Sequence, residues 1–546
     1  MLCVCLYPAP GNTDESMPTT DILQTTTEKT GIDPSEVESD GAIIGNITIV
    51  NRNIFDLSNP LEDKWLYRWG NRLHIVTEPR VIESQLLFKE GEPYSVRLSD
   101  ESERILRQNA YLSEATIKPV HVENGVVDVE VETIDVWTLT PDLSLGRSGG
   151  ENRFGIGIEE QNLAGRGIKL GAKYRSNVDR DTLSLTYLDR NFLQNRYVLG
   201  VKIADSSDGF YRQFQFGKPF YALDRHRAGG FFYSRGERID QLYDRGEIVA
   251  EYNHEFDYHE ASLGISRGLR NGWVRRYSFG VAYENNVFSE SPDALLPVTI
   301  IPDDREYLYP FLDFQIIEDH FETTVNFDQI HRTEDRFLGK ALNLRIGYSS
   351  GSAGSTGNAW HYRAGFRNSL IATQHTSLTI GANLSGRWED GNAQNALVSG
   401  LVRFHRRTGK RQLFYASVSG TVSENLDIDN PLYLGGETGL RGYPLRYQNG
   451  ESRALLTLEQ RFFTDWYPFR LVHVGAAVFF DAGRTWGESP VGAPNLGVLR
   501  DVGFGLRLGN TRSGNGRVVH IDIAFPLDGE DDIDRVQILI DAKSSF

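Results

Sequence analysis

The amino-acid sequence predicts an all-β transmembrane antiparallel β-barrel of about sixteen strands, preceded by a small α+β domain. Three observations carry this expectation. From Trp137 to the end of the 546 residues, apolar side chains recur at every second position, the period of a strand. The positions between them hold arginines, carboxylates and glycines, with no helical pattern interleaved. Residues 42–136 follow a different, mixed period, as a separate domain would.

The totals agree. There are 29 Phe, 24 Tyr and 54 Gly, a mixture that suits strands and turns better than helices. A net charge of -17 argues against a nucleic-acid partner, which would want a basic face. No run of 18 apolar residues occurs, so a transmembrane helix is not expected. Barrel strands need only about 9–11 residues each and alternate in polarity, so a membrane is still open to this chain.

Residues 1–40 read as a signal remnant and a linker. MLCVCLYPAPG holds the only two cysteines, Cys3 and Cys5, and has no basic residue before Lys29. It reads as the tail of an export signal rather than a metal site. Residues 11–40 contain no aromatic side chain and are rich in Thr, Ser, Asp and Glu, which predicts disorder.

Residues 41–136 come next. IIGNITIV reads as a strand, and TEPRVIESQLLF sets Val81, Ile82 and Leu86 on one helical face that Gly91 ends. ESERILRQNAYL predicts a second helix through Ile105, Leu106 and Leu112. ATIKPVHV and VVDVEVETIDVW are strands joined by Asn124-Gly125, a strong hairpin signal.

In residues 137–546 the alternation is explicit. Val502, Phe504, Leu506 and Leu508 oppose Gly503, Gly505, Arg507 and Gly509. Val519, Ile521, Ile523 and Phe525 oppose His520, Asp522 and Ala524. A sheet this large must close to hide its edges, and a wet interior with an apolar exterior fits the pattern. Trp273, Trp360, Trp466, Tyr467 and Trp486 lie near strand ends, where interfacial girdles form. At roughly 25 residues per strand and loop, the region supplies about sixteen strands. The last strand, RVQILIDAKSSF, carries Val536, Ile538, Ile540 and Ala542 on one face and ends on Phe546. It resembles the C-terminal strand of outer-membrane barrels, which serves as their assembly signal.

One stretch stands apart: YLGGETGLRGYPLRY, residues 433–447. Its Leu440-Arg441-Gly442-Tyr443, after Gly435, Gly436 and Gly439, resembles the (V/L)RG(F/Y) loop of the BamA/TamA outer-membrane protein assembly superfamily, which includes the bacterial surface antigens and the two-partner secretion transporters. VGAAVFFDAGRTW and FGLRLG resemble that superfamily's following strand pair. IESQLLFKEGEPY and YLSEATIKPV resemble a POTRA repeat, of which only one is found. The resemblance implies that the loop folds back into the barrel lumen as a lid. Such a loop needs tight backbone angles, which the glycines permit, and an anchor. Arg441 offers a planar fork suited to a carboxylate on the inner wall. With Val474, Ala476, Val478 and Phe480 outward, Asp481 faces inward and is the expected main partner, with Glu459 second. The alternative is that Arg441 stabilises the loop without a part in transport.

The resemblance further implies a Gram-negative outer membrane, a POTRA-like domain in the periplasm, and transport or insertion of polypeptide. The expected partners are outer-membrane lipids, unfolded outer-membrane or secreted clients, and periplasmic chaperones. A single POTRA-like domain keeps two rivals open: a dedicated secretion transporter, or a non-catalytic surface protein or pore. No enzyme and no cofactor is expected. Gly264-Ile265-Ser266-Arg267-Gly268 matches a nucleophile elbow, but no helix follows it. His254, Glu255 and His259 miss the zinc-protease spacing by one residue and read as loop or rim residues.

Overall fold

A computed structural model describes residues 31–291, 300–373, 375–514, 518–529 and 533–543. Cys3, Cys5 and Phe546 lie outside them.

The N-terminal unit is α+β. Its three-stranded sheet has Val126–Asp135 in the centre, parallel to Ile43–Arg52 and antiparallel to Leu112–Glu123. Asn124 and Gly125 both take positive φ (52° and 77°), as the tight hairpin between the last two strands requires. The helix Val96–Arg107 and the short helix Pro79–Glu83 bury Leu106, Val81 and Ile82 against Val127, Val129 and Val131.

Three details depart from the sequence expectation. The second helix starts at Val96, and Leu112 belongs to the following strand. Part of the segment expected to be disordered is ordered: Asp33 caps a helix Pro34–Ser39 by accepting from Ser35 N at 2.8 Å, and Val37 enters the core. A further helix, Trp65–Leu73, was not expected. It has no side-chain cap and carries Gly70 in its interior, both of which weaken a local helix signal.

Among the described residues, twenty strands close into one barrel, running in chain order from Leu139–Ser148 to Gln537–Lys543. All the barrel's neighbours pair antiparallel. The count exceeds the expected sixteen because many turns are only two residues long. Arg245-Gly246, Asn271-Gly272 and Asp390-Gly391 each turn the chain with two successive positive φ values, so less sequence is spent between strands than assumed.

The polarity of the wall is inverted relative to a soluble barrel. Leu263, Ile265, Phe279, Leu312, Val398 and Phe504 are exposed on the outside, while Asp481, Asp501, Arg507 and His405 are buried within. Tyr348, Trp360 and Trp388 sit side by side on three adjacent strands, exposed outward as part of an aromatic belt. No described helix is long and apolar enough to cross a membrane.

His254, Glu255 and His259 are not rim residues. They lie within the 24-residue strand Glu247–Arg270, where His254 meets Asp240 and Asn286 at 2.8 and 3.0 Å. That strand is much longer than the segment length assumed from sequence. It also contains Gly264 to Gly268, with a bulge after Ser266 and no following helix.

The N-terminal domain sits at one rim, here the near rim. Arg97 pairs with Asp224 in a near-rim turn, and Arg196 donates to the carbonyls of Ser84 and Leu86 at 2.9 and 2.7 Å. The connection after strand Arg305–Glu318 forms a hairpin, Phe321–Val325 with Thr333–Phe337, before the wall resumes at Ala341–Ser349.

Candidate functional site

The far-rim connection between strands Gln412–Glu424 and Ser452–Phe463 turns inward. Leu432–Leu434 pairs with Gln448–Gly450 to form its stem, and residues 435–447 form its tip. Leu434, Leu440, Tyr443 and Tyr447 bury against Leu499 of the wall, so the tip has its own apolar core. Of the four glycines expected to supply unusual backbone angles, only Gly439 does so, at φ +116°. Gly442 is needed for closeness instead: a Cβ there would stand 2.7 Å from Asp501 Cβ. Its N–H donates to Asp501 Oδ2 at 3.0 Å.

Arg441 is 5% exposed and faces the wall. Its Nε and Nη2 donate to the two oxygens of Asp481 at 2.7 and 3.1 Å, the bidentate fork that guanidinium geometry favours. Nη1 donates to Glu459 Oε1 at 2.9 Å and stands 3.6 Å from Asp522 Oδ2. The guanidinium lies 3.3 Å from the centre of the Phe479 ring.

Sequence reasoning missed the rest of this network. Arg507, fully buried, donates to Glu459 Oε1 at 3.2 Å and pairs with Asp522. Arg461 Nε donates to Glu459 Oε2 at 3.0 Å. Three arginines thus face Asp481, Asp522 and Glu459 in a buried cluster. The signal was present in the strand period: Arg461 shares its parity with Glu459, and Arg507 and Asp522 lie on the faces opposite the apolar sets.

Other contacts tie the loop to the opposite wall. Arg446 forms a bidentate pair with Asp179 at 2.7 and 2.8 Å, and Asn449 donates to Tyr243 O at 2.6 Å. On the Asp481 side, Tyr443 Oη donates to Arg500 O at 2.7 Å. The loop is a strap across the lumen, fastened at both sides.

The near-rim hairpin enters from the other end. Glu334 accepts the backbone N–H groups of Phe327, Asp328 and Gln329 at 2.9, 2.9 and 3.1 Å, which shapes its tip. Ile330 packs with Leu413, Phe463, Ala477 and Val518 of the wall. Arg461 Nη1 donates to Phe327 O at 3.3 Å, so the residue that holds Glu459 also holds this tip.

The first and last strands meet weakly. Among the described residues one register pair joins them, Ile540 with Arg147, whereas other neighbouring barrel strands share seven or more. Ile538, on the same face of the last strand, is exposed outward. A cavity of about 250 Å³ lies between this seam and the strap, lined by Arg147, Gly436, Glu437, Asp522, Asp541 and Lys543. A Cβ on Gly436 would stand 2.9 Å from Ser148 Oγ, so the strap touches the end of the first strand.

No protein-family model matches the sequence, and no curated protein matches it. Among solved structures the chain is similar to BamA from Haemophilus ducreyi lacking POTRA domains 1–3, at 14% identity and a TM-score of 0.38, covering 91% of this chain and 84% of that one. It is also similar to CdiB from Escherichia coli, at 15% identity and 0.46, covering 91% and 75%. A third is CdiB from Acinetobacter baumannii, at 12% identity and 0.41, covering 92% and 74%.

Proposed function

We propose that this chain is an outer-membrane barrel that passes unfolded polypeptide into or across the outer membrane, with its N-terminal α+β domain in the periplasm. The observation that carries the reading is the seam: a closed barrel whose first and last strands share, among the described residues, one register pair opens there at least cost. An opened seam offers unpaired N–H and C=O groups to an incoming strand, and backbone pairing of this kind ignores client sequence. The domain acts as a single POTRA-like unit, in which an edge of the sheet, Ile43–Arg52 or Leu112–Glu123, takes client segments by the same pairing. The strap anchored by Arg441 holds the barrel's working shape, and its contact with Ser148 bears on the seam. Insertion of membrane clients is the main reading, and export of one dedicated partner is the variant that a single such domain favours. A passive open pore is the least favoured, because inserts enter the lumen from both rims.

The test is a seam lock. Arg147→Cys with Ile540→Cys, in a chain with Cys3 and Cys5 changed to Ser, places two thiols at an antiparallel partner pair, within disulfide reach. Reconstituted protein should speed folding of a small barrel client into liposomes, lose this on oxidation, and regain it with reductant. Acceleration that survives the lock would refute the seam mechanism. No acceleration by folded, unlocked protein would leave the dedicated exporter, to be tested with its own secreted partner.

A further inference from the structure

We infer that the helix Trp65–Leu73 is a membrane-interface anchor, seated in the phospholipid leaflet at the near rim, which fixes the N-terminal domain to the bilayer beside the barrel. The inference rests on the reading of the barrel as membrane-embedded.

The helix has two faces. Tyr67 turns inward, stacks on Phe55 with ring centres 4.7 Å apart, and packs beside Ile54, Trp137 and Leu471. Trp65, Leu66, Trp69 and Leu73 turn outward, the two tryptophans 73% and 54% exposed. Trp65, Trp69 and Leu73, spaced i, i+4, i+8, make one stripe along the helix with Leu66 three residues before Trp69 beside it, and Leu61 and Ile75 are exposed in the chain on either side. Lys64, Arg68 and Arg72 are also exposed on this element. Tryptophan and leucine on one face with cations beside them is the composition of helices that lie in a lipid interface. Lys64 and Arg72 suit anionic headgroups, while Arg68 forks onto Asp63 at 2.6 and 2.7 Å.

Position supplies the second, independent argument. Tyr67 Oη donates to Phe469 O at 2.8 Å, in the near-rim turn between strands Ser452–Phe463 and Val472–Trp486. Glu62, just before the helix, pairs with Arg512 of the next near-rim turn and stands 3.8 Å from Arg470. The turn that holds the helix itself presents Trp466 and Phe469, the latter 81% exposed. Phe469 and Arg470 both take positive φ (55° and 50°), a costly backbone for bulky residues that persists only where surroundings hold it. Here it holds a phenyl ring outward at the end of two wall strands. The helix is thus held at the rim of the barrel's apolar exterior, beside the exposed Trp466 and Phe469, and the occupant that covers that exterior is lipid. A patch of this size left in water would be a liability.

The test uses the full chain in vesicles of phosphatidylethanolamine and phosphatidylglycerol. The emission difference between the native protein and Trp65→Phe/Trp69→Phe isolates the two helix indoles while keeping the face apolar. That difference should be quenched about twofold more strongly by lipid nitroxides near the headgroup than by those at the chain centre, as burial of about 5–10 Å requires. It should be shielded from aqueous iodide. Trp360 and Trp388, which face outward on the barrel, provide the control for membrane insertion: they should be quenched by nitroxide lipids in both proteins. Barrel quenching without quenching of the difference emission, with iodide reaching it, overturns the anchor alone. A difference emission shielded from both quenchers assigns the face to a second copy of the chain and also overturns it. Loss of barrel quenching overturns the membrane reading itself. Trp65→Gln alone and Trp69→Gln alone, on residues 73% and 54% exposed, should each lose part of the shielding with the barrel still folded.

Discussion

Arg461 reaches back two residues along its own strand to Glu459, Nε to Oε2 at 3.0 Å, and the other oxygen of that carboxylate holds Arg441 at 2.9 Å. The strap from the far rim and the hairpin from the near rim thus meet on a single short step of one strand. Glu459 holds the strap directly and the hairpin through Arg461.

Replacing Arg441 by Ala should destabilise the folded barrel by about 3–5 kcal/mol, because Asp481 stays buried without the fork that satisfies both its oxygens. Arg441→Lys should rescue little, since an ammonium cannot repeat the fork on Asp481. The double variant Arg441→Ala/Asp481→Ala should lose less than the two singles added together. Urea midpoints in lipid vesicles, read by heat-modifiable gel migration, measure all four. Additive losses would mean the pair is not energetically coupled.

Gly442→Ala should lift the strap without touching its charges. The new methyl would stand 2.7 Å from Asp501 Cβ and 3.1 Å from the Pro526 nitrogen, and both belong to strands that cannot easily give. A loss of about 1–3 kcal/mol is expected. Trypsin added at the far rim should then cut after Arg441 or Arg446, which the native strap protects. An unchanged digestion pattern would show that the wall yields instead.

Much of this was legible in the sequence, for definite reasons. The period of two exposes which face of each strand is apolar, so Asp481 and Glu459 were placed inward by parity alone. Parity also placed Arg461, Arg507 and Asp522 inward, but it carries no register between strands, so their convergence on one cluster was hidden. The strand count failed because turn length is set by single dipeptides such as Asn271-Gly272, and an average length hides them. The hairpin gives little sequence signal because Phe321–Val325 and Thr333–Phe337 are each only five residues long, too short to span, and Thr-Glu-Asp-Arg-Phe shows no apolar alternation. Helix Trp65–Leu73 escaped because its apolar stripe faces away from the protein, where a core-seeking reading does not look.

The N-terminal domain and the hairpin should be energetically coupled. Arg107 Nε and Nη2 donate to Asp335 at 2.8 and 2.6 Å, with both side chains largely buried, and Thr333 Oγ1 donates to Glu114 at 2.5 Å. A double-mutant cycle on Arg107→Ala and Asp335→Ala should return a coupling of about 0.5–3 kcal/mol. Pulse proteolysis of the reconstituted protein gives the four stabilities. A coupling near zero would mean that the domain and the hairpin move independently.

The two inserts lie in series along the lumen, which makes a sharp prediction for ion conductance. In a series path the larger resistance governs, so opening one end of a doubly closed barrel changes little. Arg441→Ala loosens the strap while Ile330 stays seated among Leu413, Phe463, Ala477 and Val518. Ile330→Asp expels the hairpin tip, because a lone carboxylate is not tolerated in that apolar setting, while the strap stays fastened to Asp481 and Asp179. Each single variant should conduct close to the native level in planar bilayers, and the combined variant several-fold more than either. If Ile330→Asp alone gives the full increase, the strap does not seal the lumen, and its role is confined to holding the wall and the seam.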